Sequence, residues 1–161
     1  MRKLNVKWFL VLVVGAAVAA GSVVALHAFQ YQRIAAALLW QARRAEDGGK
    51  LDRMRHYLER YLDFAPQDVG ETAHLGLALA GDHFAGSLAA RRQSFFLLNK
   101  VLTHDSGRRD VQRLIVKTGL EIGEFNAARR NLEALTKSAP ADADPAERGE
   151  LEGAWGRLLE A

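Results

Sequence analysis

From Trp8 to Leu26 the chain reads WFLVLVVGAAVAAGSVVAL, nineteen residues without a charge, and no other feature narrows its fold so far. At 1.5 Å per residue a helix of that length just crosses a hydrocarbon core about 30 Å thick. Trp8 at one end, with Phe29 and Tyr31 beyond the other, suits the two interfacial belts. Arg2, Lys3 and Lys7 precede the run, whereas only Arg33 lies in the ten residues after it. Basic residues resist translocation, so the tail 1–7 is expected in the cytoplasm, the anchor at 8–26, a juxtamembrane segment at 27–34 and the remainder outside. A bacterial inner membrane with a periplasmic body is the corresponding location. The competing reading is a cleavable signal, for which Ala17 and Ala19 form an A-x-A site and Leu26 with Ala28 a weaker one. Cleavage after Ala19 cuts inside the apolar run, which favours the anchor. Small residues four apart, Gly15 with Ala19 and Ala17 with Gly21, permit two spans to pack closely, but small residues are common in any span.

The formal charge of +3 raises nucleic acid as a partner, and its location removes it. Arg2, Lys3 and Lys7 supply the whole excess, since the other 19 bases balance 19 acids. A body without surplus cations does not replace the counterions of a phosphate backbone. There is no cysteine, which excludes disulfides, thiol nucleophiles and zinc ribbons. Three prolines and runs rich in Ala, Leu, Arg and Glu favour helix over strand.

Beyond Gln30 apolar residues recur at helical spacing. Breaks fall at Gly48-Gly49, Pro66, Gly81 to Gly86, Ser106-Gly107, Gly123 and Ala139 to Pro145. Asp68 with Glu71 has the spacing of a capping box, and Asp144-Pro145-Ala146-Glu147 sets a cap, a first-turn proline and a third-position acid in order. The resulting helix pairs repeat. Leu38, Ala42, Gly49, Met54, Leu58 and Pro66 recur as Leu75, Gly76 and Leu79, and again as Ile115, Val116, Gly123, Phe125, Ala128, Leu132, Leu135 and Pro140. On these residues the chain resembles the tetratricopeptide repeat family, whose helix pairs return about every 34 residues.

The resemblance implies an α-solenoid of about three helix pairs, at 35–68, 69–108 and 109–142, and a final single helix at 143–161. It also implies small residues where paired helices cross, provided by Ala42, Gly76 and Ala128, and large ones such as Leu58, Leu98 and Leu132 filling the space between units. The middle pair is irregular. Ala42 to Met54 and Val116 to Ala128 are each twelve residues, but Gly76 to Ser94 is eighteen. The six extra residues lie near GDHFAGSLAARR, to be absorbed by a longer turn or a longer second helix. The last helix keeps an apolar stripe of Leu151, Ala154, Trp155 and Leu158, which reads either as a cap or as the opening of a further unit in a longer protein.

No catalytic motif is present: no G-x-S-x-G, no phosphate-cradling glycine loop and no H-E-x-x-H. His27, His56, His74, His83 and His104 are scattered, and none pairs with another at ligand spacing, so no metal, cofactor or small-molecule substrate is expected. Glu46, Asp47, Asp52, Glu147, Glu150 and Glu152 read as solvated faces and caps. The tetratricopeptide resemblance places a peptide groove on the first helices of the pairs. There Arg113 and Lys117, four apart, with Arg43 as a third contributor, would hold a peptide carboxylate. The plainer reading pairs these bases with Asp110 and Glu121 as a solvated face. Nine bases against four acids from Gly86 to Arg130 point to an acidic partner or to pairing between neighbouring units. Phe95, Phe96, Tyr57 and Tyr61 are expected in the core between units. The expectation is a non-catalytic membrane-anchored scaffold for protein segments, with two alternatives: the anchor and stalk of an enzyme, or a secreted soluble repeat protein.

Overall fold

The computed structural model describes the backbone of residues 6–137 and 145–160, among which it contains seven α-helices and no strand. They are α1 (Val6–Asp47), α2 (Leu51–Phe64), α3 (Val69–Ala80), α4 (Leu88–His104), α5 (Arg109–Ile122), α6 (Phe125–Lys137) and α7 (Pro145–Leu159). The chain is thus all-α, as expected. Arg2, Lys3, Pro140 and Asp144, on which expectations were placed, lie outside the described residues. The helices divide between two compact units, residues 1–64 and 65–161.

The first unit is a hairpin with one very long arm. α1 runs unbroken for 42 residues, about 63 Å, and residues 27–34 are helical and continuous with both neighbours. α2 has only 14 residues. It reaches back along α1 to Tyr31, whose ring meets Phe64 edge-on with centroids 5.3 Å apart. Between that contact and the turn, Leu38, Ala42 and Ala45 of α1 are buried with Met54, Leu58 and Tyr61 of α2. Upstream of it the apolar side chains are bare; Leu12 is 73% exposed and Leu26 59%. This helix is long and apolar enough to cross a membrane, and its apolar stretch is not buried in protein. The turn is fixed by glycine. Gly49 takes φ +66°, which lets Lys50 N–H reach the Ala45 carbonyl and Gly49 N–H the Glu46 carbonyl, each at 2.8 Å. Two of the carbonyls that a helix end leaves without partners are thereby satisfied.

In the second unit α3 packs on α4, α4 on α5, α5 on α6, and α7 on both α5 and α6. Asp68 caps α3 by accepting Glu71 N–H at 3.0 Å. Asp68 N–H donates to the Ala65 carbonyl, and the Glu71 carboxylate reaches forward to His74 Nδ1 at 3.1 Å. The core joins Ala73 of α3, Phe95, Leu98 and Val101 of α4, and Val111 and Ile115 of α5. Each of the large fully buried side chains here contributes about 1.5–3 kcal/mol by leaving water.

The junction between α3 and α4 shows where the extra residues go. Gly81 to Ser87 form a longer connection carrying a single 3₁₀ turn, Asp82–Phe84, whose Phe84 is buried as a plug. Ser87 then caps α4 through Ala90 N–H, and α4 extends to 17 residues against 14 for α2 and 13 for α6. Both expected remedies are used.

Close approach is visible at two helix crossings. A Cβ on Gly76 would stand 2.8 Å from Leu98 Cδ2, and the Gly76 carbonyl accepts Ser94 Oγ–H at 2.7 Å in a fully buried site. In the α5–α6 hairpin Ala128 stands against Gly119, where an added Cβ would lie 3.3 Å from the Ala128 methyl. The small residue facing Ala128 is therefore one turn further along α5 than Val116, which packs with Leu132 and Leu135 of α6 and Ala154 of α7. Gly123, with φ +84°, closes α5 and sends Glu124 N–H to the Gly119 carbonyl at 2.8 Å.

Candidate functional site

α7 meets α5 and α6 along its apolar stripe. Leu151, Trp155 and Leu158 pack with Ala154 against Val116, Leu132 and Leu135. The stripe left uncovered in the sequence reading is thus covered from within the unit. Beside this seam the three helices leave a crevice of about 720 Å³. Its apolar lining is Leu114 and Leu120 of α5, Leu132 and Leu135 of α6, and Leu151 and Ala154 of α7; Leu132, Leu135 and Ala154 are already buried in the seam, and Leu114, Leu120 and Leu151 are only half-buried.

Charge is concentrated at the walls. Arg113 and Lys117 stand one turn apart on the α5 wall, as their spacing of four requires, and Arg157 stands on the α7 wall. Two acids line the same space, Glu121 and Glu150. Glu121 is held by Arg91 of α4 at 2.6 Å, with both side chains partly shielded. Asp110 is taken by Arg108, which donates through Nε at 3.2 Å and Nη2 at 2.5 Å. This hydrogen bond holds the Asp110 carboxyl below its ordinary range and raises the Arg108 guanidinium. Asp110 and Glu121 are each engaged by an arginine, Arg108 and Arg91 respectively. The crevice carries more cationic than anionic side chains.

The sequence reading grouped Arg43 with Arg113 and Lys117. The structure brings Arg113 and Lys117 together on α5. Arg43 belongs to the first unit, where its guanidinium lies 3.8 Å from Glu46 on the exposed side of α1. Three crevice residues on α7 were not anticipated: Gly149, Gly153 and Arg157. They recur at spacings of four on α7 and so share a face, a signal present in the sequence but overshadowed by the apolar stripe beside it. Phe95 and Tyr61 are buried as expected, but Phe96 is 68% exposed. Adjacent residues on a helix differ by about 100° in direction, so Phe95 and Phe96 do not share one core.

Of the histidines, His27 stacks edge-on against Tyr31 at 4.7 Å, His83 against Phe84 at 4.6 Å, and His104 turns Nδ1 to the Lys100 carbonyl at 3.1 Å. No group of three metal-ligating side chains occurs among the described residues. Compared with known proteins, the chain matches no family model, no curated protein and no solved structure.

Proposed function

We propose that the chain is a single-pass, membrane-anchored and non-catalytic scaffold whose helical hairpins bind segments of other proteins. The carrying observation is the crevice between α5, α6 and α7, where an aliphatic floor is flanked by Arg113, Lys117 and Arg157. Such a surface suits a segment that buries apolar side chains and presents acids at its edge, for burial supplies affinity and charge supplies orientation.

The tandem hairpins, with Gly76 against Leu98 and Gly119 against Ala128, support a tetratricopeptide-like solenoid as the architecture. α1 serves as the anchor. The bases Arg2, Lys3 and Lys7 ahead of its apolar run 8–26, against Arg33 alone in the ten residues after it, favour a cytoplasmic N-terminus and a periplasmic body in a bacterial inner membrane.

Two measurements test this reading. A periplasm-dependent reporter fused after Ala161 should be active, and a reporter active only on the cytoplasmic side overturns the topology. In lipid nanodiscs the full chain should bind acidic, Leu-rich peptides about tenfold more weakly when Arg113→Ala and Lys117→Ala are combined, with unchanged helicity. Equal binding by the double variant removes the crevice from the function.

A further inference from the structure

We infer that the segment admitted by the α5–α6–α7 crevice is an amphipathic helix with acids along both edges of its apolar stripe, not an extended peptide. The inference rests on the reading of the crevice as the binding site and specifies its occupant.

The lining decides between the two forms of peptide. Its described side chains are aliphatic or charged, with no Asn, Gln, Ser, Thr, Tyr or Trp among them. An extended strand lying on this floor needs acceptors for its N–H groups. The crevice has two carboxylates, and Arg91 already engages Glu121. Burying the remaining N–H groups without partners is strongly unfavourable. A helix brings its backbone hydrogen bonds with it and asks the floor only for aliphatic contact.

The α7 wall points the same way. Gly149 and Gly153, one turn apart, both line the crevice, and a Cβ built on either meets nothing within 4 Å. Two positions without side chains one turn apart, beside Glu150 and Leu151, let a second helix approach the α7 backbone closely there, which is the use of small residues four apart at helix crossings. Neither glycine terminates α7, which runs on to Leu159.

Charge then sets the pattern on the ligand. Arg113 and Lys117 stand on one wall and Arg157 on the other, so an incoming helix meets cations on both flanks. Its apolar residues would recur at i, i+3, i+4 and i+7, with Asp or Glu on each side of the stripe.

The test uses the full chain in nanodiscs and two peptide sets of matched Leu, Ile, Ala, Glu and Asp composition. One set is helix-locked by side-chain staples over about four turns, and the other carries prolines that forbid a helix. Helix-locked binders should have Kd values at least about tenfold lower than any proline-bearing peptide. Gly153→Leu, which fills the crevice while placing a better helix former in α7, should reduce their affinity by about tenfold or more at unchanged helicity. Equal affinity of the two sets, or undiminished binding by Gly153→Leu, overturns the helical occupant and leaves the scaffold reading standing. Binding by neither set overturns the scaffold reading itself.

Discussion

Gly76→Ala isolates the packing of α3 on α4. Alanine is the better helix former by about 1 kcal/mol, so local propensity alone predicts a gain. The structure predicts a loss. The new methyl would stand 2.8 Å from Leu98 Cδ2 and 3.0 Å from Leu98 Cγ, whereas carbon atoms rest at about 3.5–4.0 Å. Leu98 is fully buried against Ala73, Phe95 and Ile115 and has no open space to retreat into. Forcing one extra methyl into such a site costs about 1–3 kcal/mol. Separating the helices instead stretches the Ser94–Gly76 hydrogen bond, whose loss costs about 1 kcal/mol. The net expectation is a destabilisation of about 1 kcal/mol, with the propensity gain subtracted. The companion variant Leu98→Ala removes the obstruction, and in that background Gly76→Ala should stabilise by about 1 kcal/mol. The two substitutions should therefore couple by about 2 kcal/mol in a double-mutant cycle. Urea unfolding of the full chain in mild detergent, followed by far-ultraviolet circular dichroism, measures all four species. A stabilising Gly76→Ala in the native background, or an effect independent of residue 98, would refute the assigned crossing.

Other consequences are checked with the same unfolding assay or by hydrogen exchange. In α7, Gly149→Ala, Gly153→Ala and Gly156→Ala should each add about 1 kcal/mol to helix stability, read as slower amide exchange across Pro145–Leu159, because the added methyl meets nothing within 4 Å. At the two left-handed turns, Gly49→Ala and Gly123→Ala should each cost about 1–2 kcal/mol, with Asn in place of Ala less damaging, since φ is +66° and +84° there. Asp110 has its folded pKa lowered by Arg108. The stability it contributes is present above its ordinary value of 3.8 and lost as pH falls through the folded value. At 54% side-chain exposure the effect is no more than a few tenths of a kcal/mol, and Asp110→Asn should abolish that acid-side dependence in a pH series of unfolding curves.

What was legible in the sequence was local. Gly48-Gly49, Pro66, Gly123 and the capping Asp68 act within a few residues of themselves, and the helices end where those residues stand. The long apolar run was legible for the same reason, since length and lack of charge suffice to mark a helix able to cross a membrane. Asp68 with Glu71 marked the start of α3, but spacing alone did not show that the Glu71 carboxylate also reaches His74. The facing of Ala128 by Gly119 in place of Val116 also follows from something outside the pattern. The α5–α6 turn has two residues where the α1–α2 turn has three, so equal spacing along the chain does not give equal register across a hairpin.

The crevice was half legible. Arg113 and Lys117 could be placed on one face by their spacing, but what opposes them depends on where α7 returns, and no pattern on α5 carries that information. Glycine shows the limit most sharply. Gly76 and Gly153 both lie inside helices and both look like weak points by propensity. At the first a buried leucine from the next helix fills the space a side chain would take, and at the second the space stands open at the wall of a crevice. One substitution, glycine to alanine, should therefore change stability in opposite directions at the two sites. The second glycine gives up helix stability with no packing in return, as expected of a residue kept small for something that comes to lie against it.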